Sequence, residues 1–210
     1  MNITILGAGN MGSALAKQLA RAGHRMRITS RDSAKARAVA DAVPGATVVA
    51  AKDAAAGSDV VIVATGYADA VAALRSLGSL AGKVVIDITN PLTPDYMGLT
   101  VGFNSSAAEE IAKAVPGAEL VKAFNTLFAQ VIANGAAPAG SDVVPVYFVS
   151  DSERAKQTAK ALIESIGFKA VDARGLKNAR YLEPLAGLNI YFGYGAGQGT
   201  GIAPTWMKAA

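Results

Sequence analysis

The sequence contains no cysteine and a single histidine, His24. Without cysteine the chain can form no disulfide, has no thiolate nucleophile and has no sulfur ligand for a metal. One histidine also excludes the histidine clusters of many metalloenzymes. Because His24 follows Gly23 in a predicted turn, we expect it on the surface. We therefore expect neither a metal site nor a catalytic histidine.

Long hydrophobic runs are missing as well. Apolar runs such as 60–64 are far shorter than the ~20 residues that cross a bilayer, so we expect no membrane partner. No charged leader precedes the first predicted strand, which starts at Asn2, and this predicts a cytoplasmic protein. Because 51% of the residues are hydrophobic and 17% are charged, a folded domain with a sizeable core is expected.

The net charge of +4 comes from basic residues that are spread along the chain. Their densest stretch runs from Lys17 to Arg37 and is not interleaved with aromatic residues. Nucleic-acid binding is therefore the weaker interpretation. A phosphorylated small molecule is the partner that this stretch favours.

Short β-branched runs alternate with helix-like runs along most of the chain. Runs without polar alternation are typical of parallel strands that are buried on both faces. The sequence therefore predicts an α/β fold in a single domain, a Rossmann-type doubly wound, mostly parallel sheet with a short C-terminal extension. Pro145 predicts an edge position or a bulge for its strand. The predicted strands are Asn2–Leu6, Arg25–Thr29, Thr47–Val49, Asp59–Ala64, Lys83–Ile88, Glu119–Phe124, Val143–Val149 and Phe168–Val171.

A glycine-rich turn, Gly7-Ala8-Gly9-Asn10-Met11-Gly12, joins the first predicted strand to the first predicted helix. In this context Gly7 permits the tight turn, Gly9 lets the backbone approach a pyrophosphate, and Gly12 lets helix and strand pack closely. The helix N-terminus offers free N–H groups and a positive dipole end to the phosphates. The turn predicts dinucleotide binding; the alternative is a turn used for packing alone.

The end of the second predicted strand favours NADP over NAD. An NAD enzyme usually has an acidic residue here for the ribose 2′-hydroxyl. This strand ends instead in Thr29 and Ser30, with Arg31 next and Lys35 one helical turn later. Hydroxyl and cationic side chains suit a 2′-phosphate through charge-assisted hydrogen bonds. Asp32 argues against this unless it caps the following helix.

The segments after the fourth and fifth predicted strands, Ala64-Thr65-Gly66-Tyr67 and Thr89-Asn90-Pro91-Leu92, end at the edge where open α/β sheets bind ligands. Asn90 and Asn125 are candidates for the nicotinamide amide or ribose, and equally for turn residues that satisfy their own backbone. No catalytic residue is predicted. The predicted cofactor-binding residues are Gly7, Ala8, Gly9, Asn10, Met11, Gly12, Thr29, Ser30, Arg31, Lys35, Ala64, Thr65, Gly66, Tyr67, Asn90 and Asn125.

The chain resembles the F-420-dependent NADP reductases over nearly its whole length. The reductase domain of transmembrane ferric reductases is similar to it as well, from Asn104 through Asn125. The segments that carry the resemblance are Gly7 through Gly12, Ser30-Arg31 with Lys35, Asn90-Pro91-Leu92, Val121 through Thr126, and Asp172 through Pro184.

The resemblance implies an NADP-dependent oxidoreductase that passes hydride between NADP(H) and the deazaflavin coenzyme F-420. It also implies that the glycine turn, Ser30, Arg31 and Lys35 bind NADP. Residues 1–142 would form the NADP-binding core, and residues 143–210 an extension that completes the acceptor site. A flavin or a quinone is an alternative acceptor, because the segments around the acceptor differ from the family pattern. We expect a homodimer, since small Rossmann reductases are often dimers.

Two other functions agree with part of the sequence. Hydroxyacid dehydrogenases and imine reductases share the N-terminal half of this pattern, but they add a large all-helical domain where this sequence predicts further strands. A non-catalytic NADP sensor is also compatible with the sequence, because hydride transfer between two rings needs no catalytic side chain. Turnover of NADPH with any acceptor separates the sensor from the enzyme.

Overall fold

The structure, a computed structural model, describes residues 1–137 and 143–207. The strands are β1 (Asn2–Leu6), β2 (Arg25–Thr29), β3 (Thr47–Val48), β4 (Val60–Val63), β5 (Val84–Asp87), β6 (Glu119–Ala123), β7 (Pro145–Val149) and β8 (Lys169–Asp172). The α-helices are α1 (Asn10–Arg21), α2 (Ser33–Asp41), α3 (Ala51–Ala54), α4 (Tyr67–Arg75), α5 (Ala107–Ala114), α6 (Ala129–Asn134), α7 (Glu153–Ser165) and α8 (Ala179–Ile190). A 3₁₀ turn at Leu176–Asn178 precedes α8, and a π-turn at Tyr191–Gly195 follows it.

The strands form one eight-stranded sheet in the order β3-β2-β1-β4-β5-β6-β7-β8. The chain starts in the middle at β1, builds outward through β2 and β3, and then returns to the other side of β1 with β4. All neighbours are parallel except β6 and β7. This confirms the predicted doubly wound, mostly parallel sheet, and its reversal of strand order lies between β1 and β4.

The central strands are apolar because helices cover both faces of the sheet. All four residues of β4 are buried, and β1 pairs with it in register from Ile3 opposite Val60 to Leu6 opposite Val63. Alternate side chains join two hydrophobic clusters, one on each face. α1 packs on one face through Leu15 and Leu19, which are fully buried. The sheet therefore forms a rigid base whose strand ends carry the loops.

The prediction of an edge position or bulge at Pro145 is wrong. Pro145 begins β7, which lies inside the sheet between β6 and β8. The strand tolerates it because the antiparallel pairing with β6 involves Phe148 and Val149, at the other end of β7. The missing N–H of the proline therefore costs this ladder nothing.

The sequence argues against two structures, a large all-helical domain and a membrane-spanning segment. After β6 these residues form β7, α7, β8 and α8, so no large all-helical domain is found among them. None of the helices in the described part of the chain is long and apolar enough to span a membrane. The predicted division between 142 and 143 falls at the edge of 138–142, which lie outside the described residues, and it stays a prediction.

Candidate functional site

Two cavities meet at the edge of the sheet where β1, β2, β4 and β5 end. The basic cavity, which is lined on one side by Thr29, Ser30, Arg31, Lys35 and Asp69, has a volume of about 600 Å³. The uncharged cavity, with Asn90, Asn125 and Tyr194 in its walls, has a volume of about 460 Å³. Gly9, Ala64 and Gly66 line both. Every predicted cofactor-binding residue except Gly12 and Tyr67 lines one or both cavities.

The basic cavity is the larger of the two, at about 600 Å³ against about 460 Å³. The same glycine turn separates them, since Gly7 and Ala8 line the basic cavity whereas Asn10 and Met11 line the uncharged one. A ligand that passes over Gly9 can therefore occupy both. This arrangement matches a long molecule with one anionic half and one uncharged, flat half.

The three glycines of the turn have different environments. Gly7 has φ +116°, and a Cβ on it would lie 2.4 Å from the carbonyl oxygen of Ala64. A Cβ on Gly12 would lie 2.2 Å from the carbonyl oxygen of Gly7. A Cβ on Gly9 would meet no atom within 4 Å. The tight turn predicted at Gly7 and the close packing predicted at Gly12 are confirmed, and Gly9 leaves the backbone open where the two cavities meet.

The N-terminus of α1 lies at the same place. Gly9 is its N-cap, no side chain caps the helix, and the first turn contains no acidic residue. The first N–H groups of a helix have no partner within the helix, and its dipole places partial positive charge there. This end of α1 therefore suits an anionic group that crosses Gly9.

Arg31 and Lys35 bring positive charge to the basic cavity. The Arg31 guanidinium donates to the Asp69 carboxylate at 3.2 and 2.8 Å. Asp32 accepts a hydrogen bond from the backbone N–H of Lys35 at 3.0 Å and caps α2. This bond is the main reason why the pKa of Asp32 is below its usual value. Asp32 is therefore a helix cap, which removes the argument that it raised against NADP.

The uncharged cavity has no Asp, Glu, Lys, Arg or His among its described lining residues. Asn90 and Asn125 bind each other there: Asn90 Nδ2 donates to the Asn125 carbonyl at 2.9 Å, and Asn125 Nδ2 donates to Asn90 Oδ1 at 3.0 Å. Asn125 Oδ1 and Thr126 Oγ1 are buried without a hydrogen-bond partner among the described residues. The wall of this cavity thus retains unused polar capacity.

Aromatic rings close the uncharged cavity on the side of α6 and the π-turn. Phe128 and Tyr194 meet edge to face with their ring centroids 5.6 Å apart. A Cβ on Gly193 would lie 2.5 Å from Cζ of Phe128, so the close approach of the π-turn requires glycine. Tyr194 of the π-turn lines this cavity, whereas its neighbours Tyr191 and Phe192 do not.

Tyr67 lies apart from the other predicted residues. It is the first residue of α4, and it packs against the hydrophobic cluster on the opposite face from α1. Burial, and then the nearby carboxylates of Glu110 and Glu183, raise the pKa of Tyr67. Its position in the chain after β4 suggests the cleft, but the helix turns its ring away from both cavities.

A buried ion cluster beneath the cleft is absent from the sequence prediction. Lys122 Nζ lies 2.6 Å from Asp87 and 3.0 Å from Glu183, and it donates to the Thr89 carbonyl at 2.7 Å. Glu183 also accepts from the first two N–H groups of α5. Burial opposes the charge on Lys122, but the two carboxylates outweigh it and hold its pKa above the usual value.

This cluster joins four elements close to the cleft. Asp87 ends β5, Lys122 is in β6, and Glu183 is in α8 and binds the start of α5. Leu182, next to Glu183, accepts from Asn125 at 3.1 Å. A lysine that follows the apolar residues Leu120 and Val121 inside β6 is the signal in the sequence that points to such a cluster.

The family model described as NADP oxidoreductase coenzyme F420-dependent matches residues 2–91. The F420-dependent NADP reductase of Methanothermobacter marburgensis is 33% identical over 210 residues, covering 90% of this chain and 91% of that protein. The chain belongs to this family. It is an NADP-dependent oxidoreductase, as the sequence predicts.

Two further matches extend the family assignment. A crystal structure of a putative F420-dependent NADP-reductase from Arthrobacter sp. FB24 is 30% identical, with a TM-score of 0.84 and coverage of 95% of this chain and 96% of that one. The metalloreductase STEAP3 of Rattus norvegicus is 28% identical over 184 residues, which are 87% of this chain but 36% of that protein. The resemblance to both branches is thus confirmed.

Proposed function

We propose that this member of the family transfers hydride between NADP(H) and the deazaflavin coenzyme F-420. One observation carries the proposal: a basic cavity and an uncharged cavity meet over Gly9, at the point where the strand order of the sheet reverses. Open α/β sheets bind dinucleotides at this point. The uncharged cavity would then hold the nicotinamide and, beside it, the flat ring of the acceptor.

The chain's own residues fit NADP along this cleft. Thr29, Ser30, Arg31 and Lys35 would hold the 2′-phosphate in the basic cavity, and the backbone from Gly9 to Gly12 would hold the pyrophosphate. Asn125 Oδ1 and Thr126 Oγ1 are buried without a partner among the described residues, and they would offer an acceptor and a hydroxyl to the carboxamide. NADPH, when bound, supplies the hydride.

The acceptor would bind on the exposed side of the uncharged cavity. Tyr96, Phe128 and Tyr194 line it and provide apolar surface for a ring. Ala186, Asn189 and Ile190 of α8 line it too, so residues 143–210 would complete the acceptor site. F-420 is proposed first because the named relatives are F420-dependent; a flavin and a quinone are the alternatives.

The chemistry of this site would rest on orientation. With no charged side chain among the described lining residues of the uncharged cavity, the chain supplies no strong acid or base to the rings. Its contribution would be to hold the two reacting carbons roughly 3–3.5 Å apart and to exclude water between them. Rigid strand ends and the buried Lys122 cluster suit that task.

The test uses NADPH deuterated at C4 together with oxidised F-420. Direct transfer should place deuterium at C5 of the deazaflavin, where a carbon-bound label does not exchange with water, and mass spectrometry would detect it. FMN, FAD, quinones and a ferric chelate complete the panel. Reduction of F-420 without label, or faster reduction of another acceptor, would contradict the proposal. NADPH binding with no acceptor reduced would indicate the sensor.

The predicted homodimer is a separate proposal. Tyr181, Leu188 and Tyr191 on and after α8 are all more than half exposed, which supports a partner on that side. Light scattering of the purified protein would give the mass in solution. A monomer at micromolar concentration would contradict it without affecting the proposed activity.

A further inference from the structure

The uncharged cavity continues into a second opening along α1. This opening, the α1–α6 groove, has a volume of about 370 Å³ and is lined by Asn10, Ser13 and Lys17 of α1 and by Gln130 and Thr200 opposite them. Phe128 and Tyr194 line both the groove and the uncharged cavity. A ligand in the cavity can therefore extend into the groove past these two rings.

The groove has one sign of charge. Among its described lining residues, Lys17 is the only one that carries a charge at neutral pH, and none has a carboxylate side chain. Lys17 takes part in none of the ion pairs found among residues 1–137 and 143–207. Asn10, Ser13 and Lys17 share a face of α1, because residues three and four apart lie one above the other. The groove thus presents a cation and polar groups to whatever enters it.

The position of Lys17 separates it from the pyrophosphate region. Lys17 lies seven positions along the helix from the start of α1 at Asn10, a rise of about 10 Å. The groove is also on the other side of Asn10 from the basic cavity, which Lys17 does not line. NADP therefore leaves Lys17 without an anionic partner in this arrangement.

We propose that the α1–α6 groove is a subsite for an anionic side chain of the acceptor, such as a phosphate ester, with Lys17 as its charge partner. This inference rests on the proposed function. The acceptor ring would lie in the uncharged cavity, and its side chain would pass Phe128 and Tyr194 into the groove. The acceptors that bind best should therefore be ring systems that carry an acidic side chain, rather than uncharged quinones.

Two acceptors test this: 5-deazariboflavin and its 5′-phosphate share one ring and one sugar chain and differ only in the phosphate. Their dissociation constants would be measured by fluorescence on the protein saturated with NADP⁺, and KM values would be measured with NADPH. The phosphate should bind at least about tenfold more tightly, as expected of a charge-assisted contact. In Lys17→Gln the two should bind within about twofold of each other.

Arg21→Gln is the matched control, because Arg21 ends the same helix and lines neither the groove nor either cavity. It should keep the preference for the phosphate. Equal binding of the two compounds by the wild type, or an unchanged preference in Lys17→Gln, would overturn the subsite. So would a loss of NADP⁺ affinity in Lys17→Gln, which would make the cofactor the source of the anion.

The two proposals fail separately in this experiment. A preference for the phosphate that depends on Lys17, without reduction of either compound, would keep the subsite and contradict hydride transfer to a deazaflavin. Reduction of both compounds with equal affinity would keep the proposed function and overturn the subsite.

Discussion

The Arg31 guanidinium and the Asp69 carboxylate form a two-point ion pair, with N–O distances of 3.2 and 2.8 Å, at the basic cavity. Arg31 follows β2, and Asp69 lies in the first turn of α4, so the pair links the two sides of the cavity. The side chains are 83% and 46% exposed, which leaves the pair weak and easily rearranged. An anionic ligand can therefore displace Asp69 as the ion-pair partner of Arg31.

Arg31→Ala should separate NADP from NAD. The variant would lose the proposed charge-assisted contact to the 2′-phosphate, worth roughly 1.5–3 kcal/mol, so NADP affinity should fall at least about tenfold. NAD affinity should hardly change, because NAD has no phosphate there. Titration calorimetry with both cofactors measures this. Equal losses for the two would show that Arg31 does not contact the 2′-phosphate.

Asp69→Asn should act in the opposite direction. It removes a competing carboxylate and a repulsive charge while it keeps the shape of the side chain. For an exposed pair the expected gain is below about 1 kcal/mol, a severalfold increase in NADP affinity. Asp41→Asn, which makes the same change in net charge at a residue that lines neither cavity, is the control. Weaker NADP binding in Asp69→Asn would mean that Asp69 positions Arg31 instead.

Tyr194→Ala should weaken binding of the acceptor more than binding of the cofactor. The substitution removes the ring that packs edge to face on Phe128 and lines the uncharged cavity. KM for the acceptor should rise about tenfold, by the loss of roughly 1–2 kcal/mol of buried apolar contact, with NADP affinity within twofold of wild type. Tyr181→Ala, on the outer side of α8, is the control. Normal acceptor kinetics would place the acceptor elsewhere.

Deletion of 193–210, which includes 208–210 outside the described residues, should abolish acceptor reduction while it preserves NADP binding.

No single side chain in the cleft should act as an essential acid or base. Asn125→Ala, Thr126→Val and Tyr194→Phe should each retain single-turnover hydride transfer within about 100-fold of wild type, because general acid–base catalysis typically contributes more than that. Saturating concentrations of both ligands remove binding effects from the comparison. One variant that binds both ligands and transfers no hydride would identify a catalytic residue.

Lys122→Met should be strongly destabilising. It leaves Asp87 and Glu183 buried without their cation, at a cost of roughly 3–5 kcal/mol in the free energy of unfolding. Urea denaturation measures it. Lys160→Met, at an exposed ion pair, should cost far less, and a similar loss for both would refute the argument.

The sheet and the glycine turn could be predicted because their signals are local. Runs such as the one containing Val60 specify buried strands without reference to the rest of the chain, and Gly7 and Gly12 follow from the shape of one strand–turn–helix unit. The location of Arg31 and Lys35 at the basic cavity was predictable on the same grounds, since Arg31 comes soon after β2 and Lys35 lies in the first turn of the next helix.

The remaining features depend on contacts between distant segments. Glu183 contacts Lys122 only because α8 packs beside the start of α5. No local sequence pattern predicts that contact between distant segments. Tyr67 follows β4 as predicted, but the rotation of α4 decides where its ring lies. Pro145 was misjudged because a proline is tolerated inside a sheet when it begins a strand.

The antiparallel pairing of β6 with β7 decides which end of α8 reaches the cleft. β7 and β8 are antiparallel to the other strands, so the chain leaves β8 at the edge of the sheet opposite the cleft. α8 then returns toward the cleft, where Ala186, Asn189 and Ile190 near its end line the uncharged cavity. The cleft therefore meets the amino end of α1 and the carboxyl end of α8. The first favours phosphate, and the partial negative charge of the second favours a cationic ring, which is the state of nicotinamide after it has given up hydride.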